Sequence, residues 1–174
     1  MASGTQLPRK GDVSLPVLLG YSEYMRERFS MALLEMPQAE FTAPLGLAWK
    51  FRDIRDLFAH LIDCEDAWVR CDIQGDPVPP VGWEVYVDTA FTVRRWEEVR
   101  RRTRDHLERA SEAELSRVIV APFHGRPHFT VQQVFAHLLI HEVHHRGQIT
   151  AAMRLRGIAP PPSDLYDYIA EQLQ

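Results

Sequence analysis

The stretch TVQQVFAHLLIHEVHHRGQITAAMRLRGIAP, residues 130–160, decides the fold. Thr130-x-x-Gln133 is a capping box, in which two side chains satisfy backbone groups that a helix start leaves unpaired. Gly157 and Pro160 end the run, so one long helix is predicted from Thr130 to about Arg156. Val134, Leu138 and Ile149 lie on one arc at ~100° per residue. His137, His141, His144 and His145 fall on an overlapping arc, near 0°, 40°, −20° and 80° on the same ~100° step. Part of that arc must face an interior, and other helices must cover it.

Upstream, residues 117–129 change character. Val118, Ile119 and Val120 are β-branched and His124-Gly125-Arg126-Pro127 reads as a turn, so a short hairpin or extended arm is expected before the last helix. A third helix is predicted from about Val87 to Ala110, with Phe91, Trp96, Val99 and Leu107 inside. GDPVPPVGW (75–83) is the clearest break and belongs to a long connection that allows a crossover. A second helix runs from about Asp53 to Gln74 on the stripe Ile54, Leu57, Phe58, Leu61, Ile62, Trp68 and Val69, with Gly75 as its C-terminal cap. Residues 37–51 read as a loop. The first helix is expected from Ser14, as N-cap, to Met36, with Pro16 in its first turn and Pro37 as its stop. The tail carries a final turn or short helix around Leu165–Leu173. Residues 1–12 are polar and expected to be flexible, leaving 13–174 as one domain. Four long amphipathic segments in one domain predict an all-α four-helix bundle.

The chain has 174 residues, which allows one domain and makes two unnecessary. Its composition, 45% hydrophobic and 25% charged, rules out disorder or a collagen-like repeat as the body of the chain. The net charge of −4 gives no basic signature, so no nucleic-acid partner is expected. No apolar run is long enough to span a membrane, and the N-terminus lacks the shape of a signal peptide. Cys64 and Cys71 are about 10 Å apart along one predicted helix, too far for a disulfide. Two free thiols fit a reducing compartment, and a cytoplasmic location is expected.

The chemistry concentrates in the histidines. Imidazoles at i and i+4 grip one ion from consecutive turns; His141/His145 and His137/His141 both have that spacing. A third ligand must come from a facing helix, and His60, bordering the apolar face of the second helix, is the candidate. Three histidines with an open fourth position form a zinc site of the catalytic kind, and nickel or iron also accepts such a set. His60 alone reads as a hydrogen-bonded core residue, and His141 with His145 alone as a polar seam. Cys64, about 40° from His60 on the helix, reads as a packed thiol rather than a ligand. His144 reads as a neighbour of the site, and His137 as a supporting group or alternative ligand. His106, His124 and His128 are expected at the surface.

His141-Glu142-Val143-His144-His145 matches H-E-x-x-H, in which Glu142 would serve a zinc protease as general base. The longer form of that motif fails at Gln148 and Ala151, and no sheet is expected to hold an extended substrate. Glu142-x-x-His145 is also the di-iron element of carboxylate bundles, but Leu57, not Glu, stands three residues before His60, so a mononuclear site fits better. The arginines of the third helix (Arg94, Arg95, Arg100, Arg101, Arg102, Arg104 and Arg109) alternate with acids and read as a solvated, ion-paired face. No glycine-rich phosphate loop and no nucleophile motif is present.

HLLIHEVHHRGQITAAMRLRGI (137–158), DIRDLFAHLIDCEDAWV (53–69) and PPSDLYDYIAEQ (161–172) together resemble the DinB-like, or DinB/YfiT, superfamily over about residues 14–170. The resemblance implies a four-helix bundle with a long crossover, often homodimeric. It implies a metal held by one histidine of the second helix and a His-x-x-x-His pair of the fourth, positions that match His60, His141 and His145. Arg146, Gly147 and Gln148 match as well, with Gly147 expected to permit close helix packing and the other two expected to be structural. The family's name comes from DNA-damage induction. Some of its members are S-transferases using bacillithiol or mycothiol, and others are thiol-dependent isomerases. The resemblance therefore implies a metal-dependent enzyme, with zinc or nickel and a low-molecular-weight thiol as cofactors and a small molecule as substrate. A water at the open position would instead give a small-molecule hydrolase. A non-catalytic dimerisation module with a structural metal, closed by His137 or Cys64, is the alternative from another class.

Overall fold

The computed structural model describes residues 15–46, 50–121 and 126–172. Its helices are α1 (Leu15–Glu35), α2 (Gln38–Phe41), α3 (Ile54–Asp66), α4 (Thr89–Arg109), α5 (Glu112–Ser116), α6 (Val131–Leu155) and α7 (Leu165–Gln172). Two short strands, β1 (Val118–Ala121) and β2 (Arg126–Thr130), pair antiparallel and set Ile119 opposite Phe129. The expected flexible segment 1–12, the Ser14 cap and the turn at His124-Gly125 lie outside the described residues.

Side chains set the helix starts. Asp53 accepts the backbone N–H of Asp56 at 2.8 Å, and Asp88 accepts that of Phe91 at 2.6 Å. At α6 both arms of the capping box are made, Thr130 N–H to Gln133 Oε1 at 2.9 Å and Gln133 N–H to Thr130 Oγ1 at 3.2 Å. Each cap satisfies donors that the first turn cannot pair internally.

The bundle consists of α1, α3, α4 and α6. Both α1 and α3 pack on α4 and α6, which puts α1 and α3 at opposite corners. The connection through residues 75–86, with a 3₁₀ turn at Trp83–Val85, therefore joins neighbours. The chain crosses between corners in the segments that carry α2 and the α5–hairpin unit.

The second helix departs from expectation at its end. Beyond Asp66 it widens into a π-helical segment, Ala67–Ile73, and the N–H of Gln74 reaches back five residues to the carbonyl of Val69. The widened turn follows a fully buried carboxylate. Asp66 accepts from Arg70 of its own helix and from Arg95 and Arg102 of α4, at 2.9, 3.0 and 2.5 Å. The arginines of α4 are thus not all solvated: two turn inward to Asp66, and Arg100 is buried against Glu23.

Two apolar cores result. The larger gathers Met25, Phe29, Leu33, Ile54, Phe58, Ile62, Trp96, Ile149 and Met153. The smaller lies beneath the hairpin and holds Trp68, Val69, Ile73, Ile119, Val131, Val134 and Phe135. Along α3 and α6 the residues between the two cores include Glu65 and Glu142, both buried. The short α7 covers α1, with Tyr168 packed on the rings of Tyr21 and Tyr24. Among the described residues no helix is long and apolar enough to cross a membrane.

Candidate metal centre

The i, i+4 spacing on α6 stacks His141 above His145, with ring centroids 4.3 Å apart. From α3, His60 meets them at 5.3 Å and 4.6 Å. One nitrogen from each ring lies within 4.8 Å of the other two. Nitrogens on a tetrahedral zinc at its usual bond length sit roughly 3.4 Å apart, so small side-chain rotations close the set onto one ion. The donor set fits a divalent metal.

The electrostatics favour it as well. Burial, then the nearness of His145 and Lys50, lowers the pKa of His60 to about 4. Burial and the other imidazoles lower that of His141 to about 3. His145 is lowered too, chiefly by burial. All three rings are neutral at pH 7, with lone pairs free to bind an ion. The N–H at Nδ1 of His145 donates to Gln148 Oε1 at 2.7 Å, which fixes the tautomer and leaves the lone pair on Nε2. Phe51 packs against His60 and His145 at 5.0 and 5.6 Å and walls one side.

The neighbours fall outside the trio. His137 packs edge-on against Trp68, 5.5 Å from His141 by ring centroids. His144 is exposed and meets the Gln148 amide at 3.3 Å. Sγ of Cys64 lies 3.6 Å from His60 Nδ1, and burial pushes this thiol up to about 11, so it is protonated at neutral pH. Of the two pairs the spacing allowed, the fold brings 141/145 to His60. His128 is exposed, whereas His106 is partly buried and pairs with Glu114 at 3.1 Å.

Glu142 faces away from the cluster, about 100° round the helix from His141. It accepts from Ser22 at 2.8 Å, from Arg26 and from Arg146 at 2.6 Å, at the bundle centre. In this arrangement its carboxylate is taken up by these three partners and is not presented to the histidine cluster. Arg146 is buried by that pairing and stands over the ring of Tyr21. Gly147 does not permit a close helix contact within the described chain: a Cβ there would meet nothing within 4 Å.

His60 also borders an open cleft of about 310 Å³, lined by Lys50, Phe51, Asp56, Asp63 and Trp83. Asp63 accepts from the Tyr86 hydroxyl at 2.6 Å, and burial still raises its pKa to about 6. No spacing rule pointed to Lys50 or Phe51, which lie in a loop, to Trp83, which opens the 3₁₀ turn, or to Asp63, which lies on α3 outside its apolar stripe. Gln148 was visible as part of the His-Arg-Gly-Gln run but not as the partner of His145.

A family model described as the DinB superfamily matches residues 21–149. No curated protein matches the chain. A DinB-like protein from Bacillus cereus ATCC 10987 superposes with a TM-score of 0.61 at 18% identity, over 85% of this chain and 96% of that one. YfiT from Bacillus subtilis, described as a probable metal-dependent hydrolase with an unusual four-helix bundle topology, superposes with a TM-score of 0.62 at 15% identity, over 88% and 95%.

Proposed function

Since the chain belongs to the DinB superfamily, we propose that it is a metal-dependent enzyme acting on a small molecule, with His60, His141 and His145 holding one zinc or nickel ion. The observation that carries this reading is the convergence of three neutral imidazoles beside an open cleft. A divalent ion held by these three histidines would supply Lewis acidity, lowering the pKa of a bound water or thiol. The protein's own groups do the rest. Gln148 keeps His145 in the binding tautomer, Phe51 shields the rings from solvent, and Lys50 sets a positive charge where an anionic nucleophile or substrate would lie.

The finer reading is transfer chemistry with a low-molecular-weight thiol. It is favoured by the engagement of Glu142 elsewhere, because a thiol needs less help from a base than water does. Hydrolysis is the second reading. Its support is Asp63, a carboxyl in the same cleft able to accept a proton near neutral pH, together with the likeness to the Bacillus subtilis protein. The protein is further proposed to act in the cytoplasm as a homodimer; sedimentation as a monomer at micromolar concentration would remove the dimer.

Elemental analysis of untagged protein, purified without chelators or metal columns, tests the premise. About one equivalent of metal per chain is expected, falling sharply in His60→Ala. The loaded protein is then expected to consume an electrophile only when a small thiol is present. Cleavage of an activated ester without thiol would favour hydrolysis. No metal, with none taken up at neutral pH, would leave a helical interaction module.

A further inference from the structure

Arg26 belongs to α1, which gives no imidazole to the cluster, yet its guanidinium lies at the bundle centre. Its Nη2 donates to Glu65 Oε2 at 2.6 Å and to Glu142 Oε2 at 2.5 Å, and its Nε donates to Glu142 Oε2 at 2.9 Å. The guanidinium also stands 5.0 Å from the Trp96 ring of α4. One side chain thus touches all three other bundle helices. Glu65 follows His60 on α3, and Glu142 adjoins His141 on α6. Both carboxylates are almost wholly buried, at 3% and 2% exposure, and both offer the same kind of atom to one nitrogen. Two buried carboxylates this close repel each other unless a cation stands between them.

We propose that Arg26 is a positioning residue for the histidine cluster: by tying Glu65 of α3 to Glu142 of α6, it sets the spacing of the two helices that carry His60 and the His141–His145 pair. The clamp gives the glutamate of the H-E-x-x-H run a role its spacing does not suggest. It rests on the metal reading for its first readout but not for its second. The fold is expected to survive loss of the clamp. Glu142 keeps Arg146 and Ser22, and Glu65 keeps Arg100 at 3.8 Å.

Arg26→Met removes the cation and keeps the apolar stem. Arg95→Met is the control, removing an arginine that ties Asp66 of α3 to α4 and leaves the α3–α6 seam untouched. Zinc affinity is measured by competition with a chromophoric chelator, below the melting temperature of every variant. Arg26→Met is expected to lose affinity about 10- to 100-fold, Arg26→Lys to recover part, and Arg95→Met to stay within about twofold. In the metal-free protein, the imidazole NMR resonances of His60, His141 and His145 are expected to move in Arg26→Met and to hold in Arg95→Met. Equal losses in both variants, or unchanged affinity and resonances in Arg26→Met, overturn the proposal. If the wild type takes up no zinc while the resonances still move in Arg26→Met alone, the clamp stands and the metal reading falls. Should Arg26→Met not fold, Glu65→Gln loosens one arm and is expected to give smaller shifts of the same resonances; their absence overturns the proposal equally.

Discussion

At His145 one edge of the ring is held: the N–H at Nδ1 donates to Gln148 Oε1, which leaves the lone pair on Nε2. A histidine free to choose its tautomer spends part of its time with the wrong nitrogen protonated and must be ordered on binding. Gln148→Ala is therefore expected to weaken zinc binding about 10- to 100-fold, with stability changed by no more than about 1 kcal/mol. Chelator competition and thermal melting separate the two effects, and wild-type affinity would remove Gln148 from the orienting role. Periodicity alone, through i, i+4 spacing and the edge of an apolar stripe, offers His60 and two candidate pairs, 137/141 and 141/145; it is the resemblance to the DinB-like family that points to 141/145. The role of Gln148 is legible in neither. An amide one turn along a helix is ordinarily a solvated side chain, and only the rotamer of His145 makes it an acceptor.

The element that departs furthest from its periodicity is α3. Its apolar stripe predicts one helix to Gln74, yet it widens after Asp66. Seven residues span fewer than two turns of α winding, too short a window for a hydrophobic pattern to fix the period. Charge alternation on α4 hid a second feature. Arg95 and Arg102 look solvated in sequence because the carboxylate they reach belongs to another helix. Asp66 is fully buried and accepts from three arginines, so its loss strands several charges at once. Asp66→Ala is expected to cost about 3–5 kcal/mol in urea unfolding. Metal uptake by the folded fraction is expected to be unchanged, since no ligand contacts Asp66. A cost below about 1 kcal/mol would show these bridges to be solvent-screened.

Across the whole molecule, a polar layer separates the two apolar cores and the histidine cluster lies at one side of it. Burying neutral imidazoles couples folding to pH in the metal-free protein. His60 and His141 bind protons at about 4 and about 3 when folded, against about 6.5 when unfolded. Between those limits the unfolded chain holds more protons, so stability rises with pH there. The contribution is complete above about 6.5 and is lost as pH falls toward the folded values. Asp63 works the other way. Its folded pKa of about 6 lies above the usual carboxyl value, so it favours the fold as pH falls toward 4, but it is one group against at least two. After solvent screening each histidine contributes on the order of 1–2 kcal/mol. The melting temperature of the metal-free protein is therefore expected to fall steadily from pH 6.5 to pH 4.5. The double variant His60→Gln, His141→Gln is expected to flatten that slope, leaving His145 and the buried Glu65, both lowered, against Asp63. An unchanged slope in the double variant would mean that these two rings are solvated in the metal-free fold and that other groups set its acid stability.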